Sequence, residues 1–348
     1  MYVRKNFTFR GLMSFSGGHL IWLTAWAIAV PLFTEYLHSM DMYMFKVPWL
    51  PVSLVGTAVA FYVGFKNNSS YVRLWEARKI WGAIVNSSRA WGATVRGYVS
   101  NQFTDEDLTE EELKGIHRKL IYRHIAWLYS LRSQLLIPTS WEHINQGLMV
   151  RKRTESRLKS FGIGLYQDEI TAYEIPRCLP SEEIDKMVNS QNTATQIIDQ
   201  QSQDLKMYRS QNVIDDFRHM ELQKILNDFY IHQGKAERIK KFPLPRQYGS
   251  MSFVFVGLFI FLLPFGLVTT FHDITEWGAW LSIPFTVIVG WVFLMMELIG
   301  DYSENPFEGL GNDIPMLSIC RTIEIDLKEM LGETDLPEPI QPIKDVLM

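Results

Sequence analysis

The run WLPVSLVGTAVAFYVGF, Trp49–Phe65, carries no charged residue and decides how the chain is read. An α-helix needs about 20 predominantly apolar residues to cross the hydrocarbon core of a bilayer. Three further stretches have the same character: Met13–Phe33, Met251–Phe271 and Trp277–Ile299. They fall into two pairs on either side of a long charged middle, Lys66–Ser250. A mean hydropathy of -0.02 hides this arrangement, because the charged middle cancels the apolar ends. The pattern predicts an all-α membrane protein with four transmembrane helices in two hairpins and a large helical body outside the lipid.

Lysine and arginine collect on the cytoplasmic side of membrane proteins. Arg4, Lys5 and Arg10 precede the first stretch, and Lys66, Arg73, Arg78 and Lys79 follow the second. Arg238, Lys240, Lys241 and Arg246 precede the third. The link Thr34–Lys46 holds one lysine beside Glu35 and Asp41, and the link His272–Glu276 holds neither lysine nor arginine. Both hairpin tips are therefore expected outside, with both termini and the middle cytoplasmic. Trp22, Trp49, Trp277 and Trp280 lie toward the expected interfaces, where aromatic belts form. The first stretch follows basic residues as a signal peptide does. Yet Pro31–Glu35 has no small-residue cleavage pattern and a second apolar run follows, so a retained helix is expected. Pro51, Pro264 and Pro284 sit within or at the ends of spans, which membrane helices tolerate where neighbours satisfy the freed backbone.

The middle reads as helix. Trp75, Ile80, Trp81, Ile84, Val85 and Trp91 recur at helical spacing within Arg73–Arg96. Thr104–Glu112 is an acidic loop and helix start in which Thr109 and Glu112 have capping-box spacing. Leu113–Leu136 repeats apolar residues with a period near 3.6, and Pro138 ends it. Arg151–Gly164 is basic and then broken by Gly162 and Gly164, which predicts a loop. Ser181 is an expected cap for a long amphipathic helix over Glu182–Met207, and another helix is expected over Val213–His232. Asp301–Asp313 reads as an acidic, helix-capping turn and Met316–Leu331 as a short amphipathic helix. The Pro-rich tail from Leu336 reads as extended or disordered.

Little of the chain suggests enzymatic chemistry. The formal net charge of -4 carries no basic stripe of the kind nucleic acid demands. Two cysteines, Cys178 and Cys320, make neither a disulfide framework nor a metal knuckle and read as reduced thiols. Among the eight histidines, His117 and His124 share a helix face. Their seven-residue spacing puts them about 10 Å apart along the axis, too far for one ion. His19 lies inside the first span near its cytoplasmic end, where exposure to the interface is cheap. Neither a nucleophile elbow, a phosphate loop, a dinucleotide fingerprint nor an H-E-x-x-H pattern occurs. No cofactor or metal is expected, and the chain is not read as an enzyme.

The second span is the functional lead. Thr57, Phe61 and Phe65 recur at i, i+4 and i+8 and share one face, and the chain turns polar immediately after, at Lys66–Ser70. An apolar, partly aromatic stripe that opens into a polar one suits a pore with a hydrophobic constriction above a wet vestibule. The same stripe can also pack against the other spans.

Taken together, these features resemble the bestrophin family of pentameric ion channels over nearly the whole chain. The resemblance rests on Pro51-Val52-Ser53, on Phe61-Tyr62-Val63-Gly64-Phe65, and on the basic segment Arg73–Gly82. It rests also on Pro243-Leu244-Pro245-Arg246-Gln247-Tyr248 before the third span and Asn305-Pro306-Phe307 after the fourth. The resemblance implies a homopentamer in membrane lipid that conducts small monovalent ions, chloride in animal members and cations in some bacterial ones. The second span would line a narrow neck at Thr57, Phe61 and Phe65, with Thr where the family has a large aliphatic residue. Cytoplasmic helices would enclose a vestibule ending in a second aperture at Glu182, or at Ile184 if the register slips. Animal members bind calcium with an acidic run after this Asn-Pro-Phe. Here Asn305, Glu308, Asn312 and Asp313 remain, interrupted by Gly309, Leu310 and Gly311. Calcium wants a fuller set of oxygens, so no calcium activation is expected.

The expected partition is 1–65 for the N-terminal segment and first hairpin, 66–250 for the cytoplasmic helical domain, 251–300 for the second hairpin and 301–348 for the C-terminal segment. The expected location is the plasma membrane, or the inner membrane of a Gram-negative cell. The rival reading is a membrane-anchored helical binding or scaffold protein without conduction.

Overall fold

The computed structural model describes residues 1–40, 46–104, 108–160, 174–188, 190–275 and 277–348. Asp41, Gly162, Gly164 and Glu276, and residues 105–107 of the acidic helix start, lie outside the described residues. The described secondary structure is helical: α1 (Phe9–Ser39), α2 (Trp49–Tyr98), α3 (Glu110–Leu136), α4 (Leu148–Ser160), α5 (Ser181–Val188), α6 (Thr193–Ser210), α7 (Asp216–Lys241), α8 (Arg246–His272), α9 (Gly278–Asp301) and α10 (Met316–Met330). Of these, α1, α2, α8 and α9 are long and apolar enough to cross a membrane. The chain divides into two units, one comprising Arg4–Arg73 and Pro243–Asn305, the other Met1–Val3, Leu74–Phe242 and Pro306–Met348.

The first unit is the apolar one. Thr8 caps α1 by accepting a hydrogen bond from the Gly11 amide at 3.1 Å, the usual role of a threonine at a helix start. Helices α1, α8 and α9 pack on one another. Leu23, Val52, Val59, Val63, Val256, Phe259, Leu263 and Leu294 form the shared core. Hydroxyls that lipid would leave unsatisfied bond back to their own helices. Ser16 donates to the Leu12 carbonyl at 2.8 Å. Thr270 donates to the Gly266 carbonyl at 2.9 Å. Glycine is required at Gly278, where a Cβ would stand 1.8 Å from the Phe271 carbonyl oxygen as the chain turns from α8 into α9.

The second unit is built around α3. The Thr109–Glu112 capping box forms, as its spacing predicts. Glu112 accepts from the Thr109 amide at 2.8 Å. The Glu112 amide donates back to the Thr109 hydroxyl at 3.3 Å. α3 packs on α6, α7 and α10, and its middle is buried on all sides. Trp81, Trp91, Trp127, Tyr129 and Phe229 supply the bulk of that core, each bringing a large apolar area. His124 is stacked on Phe229 with ring centroids 4.3 Å apart and meets the Ser88 hydroxyl at 2.9 Å. His117 meets the Val99 carbonyl at 2.9 Å, so the two histidines face different structural partners.

Several sequence expectations need correction. The second span and the Arg73–Arg96 helix are one uninterrupted helix, α2, because no proline or glycine pair breaks the polar stretch after Phe65. The loop expected over Arg151–Gly164 is helical as α4 through Ser160, supported by the Arg151–Glu155 pair at 2.9 Å, an attraction one turn apart. The long helix over Glu182–Met207 is two helices, since Asn192 stops the chain and caps α6 by accepting from the Thr195 amide at 3.0 Å. Ser181 lies inside the first turn of α5, and the Pro180 carbonyl accepts from Glu183 and Ile184 instead. The helix expected over Val213–His232 begins after Asp215, which caps it, and continues to Lys241.

The tail is extended but held. Val346 and Met348 are buried, the Met1 amino group donates to the Leu347 carbonyl, and the Val3 amide donates to that of Asp345 at 2.9 Å.

His124 gives a pH test of this unit. Burial holds its imidazole neutral and pushes its pKa down to about 3, against an ordinary value of 6.5. The stability this contributes is complete above the ordinary value and is lost as pH falls toward the folded one, because the unfolded chain takes up a proton that the folded one refuses. Between pH 7 and pH 5 the unfolding free energy is expected to fall by about 2 kcal/mol on this account. Chemical denaturation of purified protein at both pH values should show that drop, and His124→Gln should remove most of it while lowering stability at pH 7.

Candidate functional site

On α2 the buried positions are 52, 56, 59, 63, 66 and 70, alternating steps of four and three. That is the seam of a packed helix. Thr57, Phe61 and Phe65 fall on the opposite, exposed side. Phe61 is 71% and Phe65 55% exposed, and the two rings meet edge to face with centroids 4.8 Å apart. The Thr57 hydroxyl donates to the Ser53 carbonyl at 2.9 Å, which reduces its polarity at that surface. The structure therefore brings the three together as one continuous strip and does not pack it against α1, α8 or α9. That removes the alternative that these residues fill the core of their own bundle.

The seam itself changes character. Above Val63 it is apolar, and then Lys66 and Ser70 occupy core positions. The Lys66 ammonium pairs with the Glu297 carboxylate of α9, with the two side chains 1% and 3% exposed. The Ser252 hydroxyl of α8 donates to the other carboxylate oxygen. One residue on, the Asn67 amide donates to the Met296 carbonyl at 2.9 Å. In the same unit, Arg73 donates to the Glu304 carbonyl at 2.9 Å, and Arg246 pairs with the Glu304 carboxylate at 3.3 Å. In sequence Lys66 reads as one of the basic residues after the second span, and its pairing with Glu297 is not foreseen. The signal was present, since Lys66 continues the heptad-like repeat of Val52, Val59 and Val63.

The aperture candidates sit on α5. Arg123, fully buried on α3, holds Glu183 through two nitrogens at 2.6–3.2 Å and also pairs with Asp204 of α6. That anchor leaves Glu182 exposed and turns Ile184 against the core.

The acidic loop is occupied by protein donors. Asp313 accepts amide hydrogen bonds from Phe307, Gly309 and Ile314 at 2.7–2.9 Å. It thus ties the turn to itself, where sequence suggested that it caps a helix; α10 begins after Pro315 with no side-chain cap. Phe307 and Gly309 adopt positive φ of 70° and 82° to make the turn. Glu308 faces the His143 imidazole at 2.9–3.0 Å. The Lys240 ammonium pairs with Glu142 and donates to the Phe307 carbonyl at 3.2 Å. Burial raises the pKa of Glu142 and Asp313 against the pull of these partners, because desolvation disfavours the charged form. Asn305 is half-buried and Asn312 exposed. Burial also pushes both Cys178 and Cys320 thiols up to about 12, which leaves them inert. Among the described residues no group of three or more His, Cys, Asp or Glu side chains is placed to hold a metal ion.

Four helices of bilayer length, with Lys66 in the core of α2 paired to Glu297, define a helical integral membrane protein. The model of the bacterial and fungal bestrophin proteins matches residues 17–329, and the chain belongs to that family. It is 26% identical over 326 residues to the voltage-dependent anion channel-forming protein YneE of Escherichia coli K12, covering 90% of each chain. It is 28% identical over 300 residues to YneE of Salmonella typhi, covering 86% of this chain and 82% of the relative. A crystal structure of a bacterial bestrophin homologue from Klebsiella pneumoniae, 22% identical, superposes with a TM-score of 0.71 over 90% of this chain and 98% of that one.

The Lys240 cluster yields a stability test. Lys240→Met leaves Glu142 buried without its counter-charge and is expected to cost about 3–5 kcal/mol. Adding Glu142→Leu removes the orphaned charge and should recover most of that loss in denaturation of the purified protein.

Proposed function

We propose that the chain forms an anion channel, assembled as a homopentamer whose α2 helices line the conduction neck. The observation that carries this reading is the uncovered strip of Thr57, Phe61 and Phe65 on a helix whose other side is a packed seam. In a ring of identical copies this strip would face the shared axis, where the large apolar side chains leave a narrow hydrophobic constriction. The names of the relatives favour anions, and so does the positive edge that a phenyl ring presents to a passing ion. Thr57 makes the outer ring the least apolar of the three and weakens dewetting there.

On this reading all four apolar helices span the bilayer, both termini and the body 66–250 are cytoplasmic, and 1–65, 251–300 and 301–348 form the two hairpins and the C-terminal segment. Glu182, exposed beside the anchored Glu183, is the aperture residue in preference to Ile184, which packs against the core. Five such carboxylates would oppose anions, so the aperture moderates the selectivity that the neck sets. The protein acts as a channel rather than an enzyme, requires no cofactor beyond membrane lipid, and opens without calcium, because Glu308 and Asp313 are already engaged by His143 and by backbone amides.

Reconstitution in planar bilayers under a chloride gradient tests conduction and sign together. The expected reversal potential lies toward chloride, and Thr57→Ala, Phe61→Ala and Phe65→Ala should each raise conductance or open probability. Unchanged currents in all three variants, a purified protein that is monomeric, or no current from any preparation would overturn the proposal, the last in favour of a scaffold.

A further inference from the structure

The buried ion pair of α2 and α9 has no role in the conduction path as drawn. Lys66 lies on the seam, about 100° around the helix from Phe65, and its ammonium is turned away from the exposed strip. The pair joins three separate helices, since Lys66 belongs to α2, Ser252 to α8 and Glu297 to α9. It stands beside a close backbone approach in this part of the unit. A Cβ on Gly300 would fall 2.0 Å from the Asn67 side-chain oxygen and 3.7 Å from the Asn67 Cα.

Charge at such a place is expensive, and a hydrophobic pair of the same volume would serve packing at least as well. A buried ionisable pair at the end of the second span, packed among α2, α8 and α9, is accordingly a functional candidate. The physical property a buried pair supplies and an apolar contact does not is directionality. A Val or Phe face on α2 can slide or turn against Leu263 and Leu294 with little change in energy, because lipid and core are equally apolar. A buried ammonium cannot leave its carboxylate without stranding both charges, so the rotation and height of α2 are fixed where the pair sits. A single polar group at a seam position sets register in packed helices in this way.

We propose that Lys66 and Glu297, seated by Ser252, are positioning residues that fix the rotation of α2 and thereby the aperture formed by the adjacent Phe65. This rests on the neck reading above. Neither residue touches the ion, and both act through Phe65.

The test is a set of channel recordings on the full-length protein in bilayers, with thermal stability of the same preparations measured in detergent. Lys66→Met and Glu297→Gln should each shift open probability by roughly fivefold or more, the range of ordinary coupling between sites. Glu297→Gln keeps an acceptor for the Ser252 hydroxyl and is the milder change, so it carries the test if Lys66→Met does not assemble. The exchanged pair, Lys66→Glu with Glu297→Lys, should restore gating toward wild type. In a Phe65→Ala background, Lys66→Met should add little further effect, because the group it positions is gone. If Phe65→Ala alters gating while Glu297→Gln does not, or while Lys66→Met acts just as strongly without Phe65, the positioning role fails and the neck stands. If Phe65→Ala itself changes nothing, the neck reading fails first. Loss of stability with gating unchanged in both single variants would reduce the pair to a structural contact and overturn the inference.

Discussion

Helix α2 belongs to both units, and among the apolar helices it buries one side along a regular seam. From Val52 to Ser70 its inward positions repeat with the alternating four- and three-residue step of packed helices, and burial resumes at Ala77. The residues occupying that step change along the helix. Valine and glycine fill it among the apolar helices, then lysine and serine, then alanine, isoleucine and tryptophan within the helical body. Because these seam positions are taken up inside the chain, the outward strip with Phe61 and Phe65 is left over by geometry. The exposed rings follow from the same periodicity that buries Val59 and Val63.

Many charges buried on one helix meet their opposite on another. Arg123 joins α3 to α5 and α6. Glu324 of α10 receives the Tyr129 hydroxyl of α3 at 2.6 Å and, within α10 itself, the Lys328 ammonium at 2.8 Å. Lys240 joins α7 to the turn after Pro306. Such pairs are weak sources of net stability, since desolvation offsets much of the attraction. They discriminate strongly against a wrong packing, in which the same groups would be stranded. In a body of several amphipathic helices with similar apolar faces, that discrimination selects one arrangement.

Sequence reading succeeded where a signal was local. The four apolar runs, the Thr109–Glu112 box and the start of α10 each depend on residues within a few positions of one another. It failed at the break between α5 and α6 and over α4, where helix-forming side chains carry no breaker in the right place. There the outcome turns on capping by Asn192 and on a pair one turn apart. The Thr57, Phe61 and Phe65 strip was legible as a periodicity, but whether it faced core or surface was not, because a stripe of apolar residues reads alike in both cases. The long-range partners, Lys66 with Glu297 and His143 with Glu308, leave no mark in sequence spacing. Only the misfit of a lysine on an apolar repeat could have pointed to the first.

The pairing of Met1, Tyr2 and Val3 with residues 345–347 governs the order in which the molecule can be finished. A segment made early in synthesis waits for one made late before it has a partner. The strap closes only once residues 345–347 have left the ribosome. An insertion beside either side of the strap would disturb these contacts.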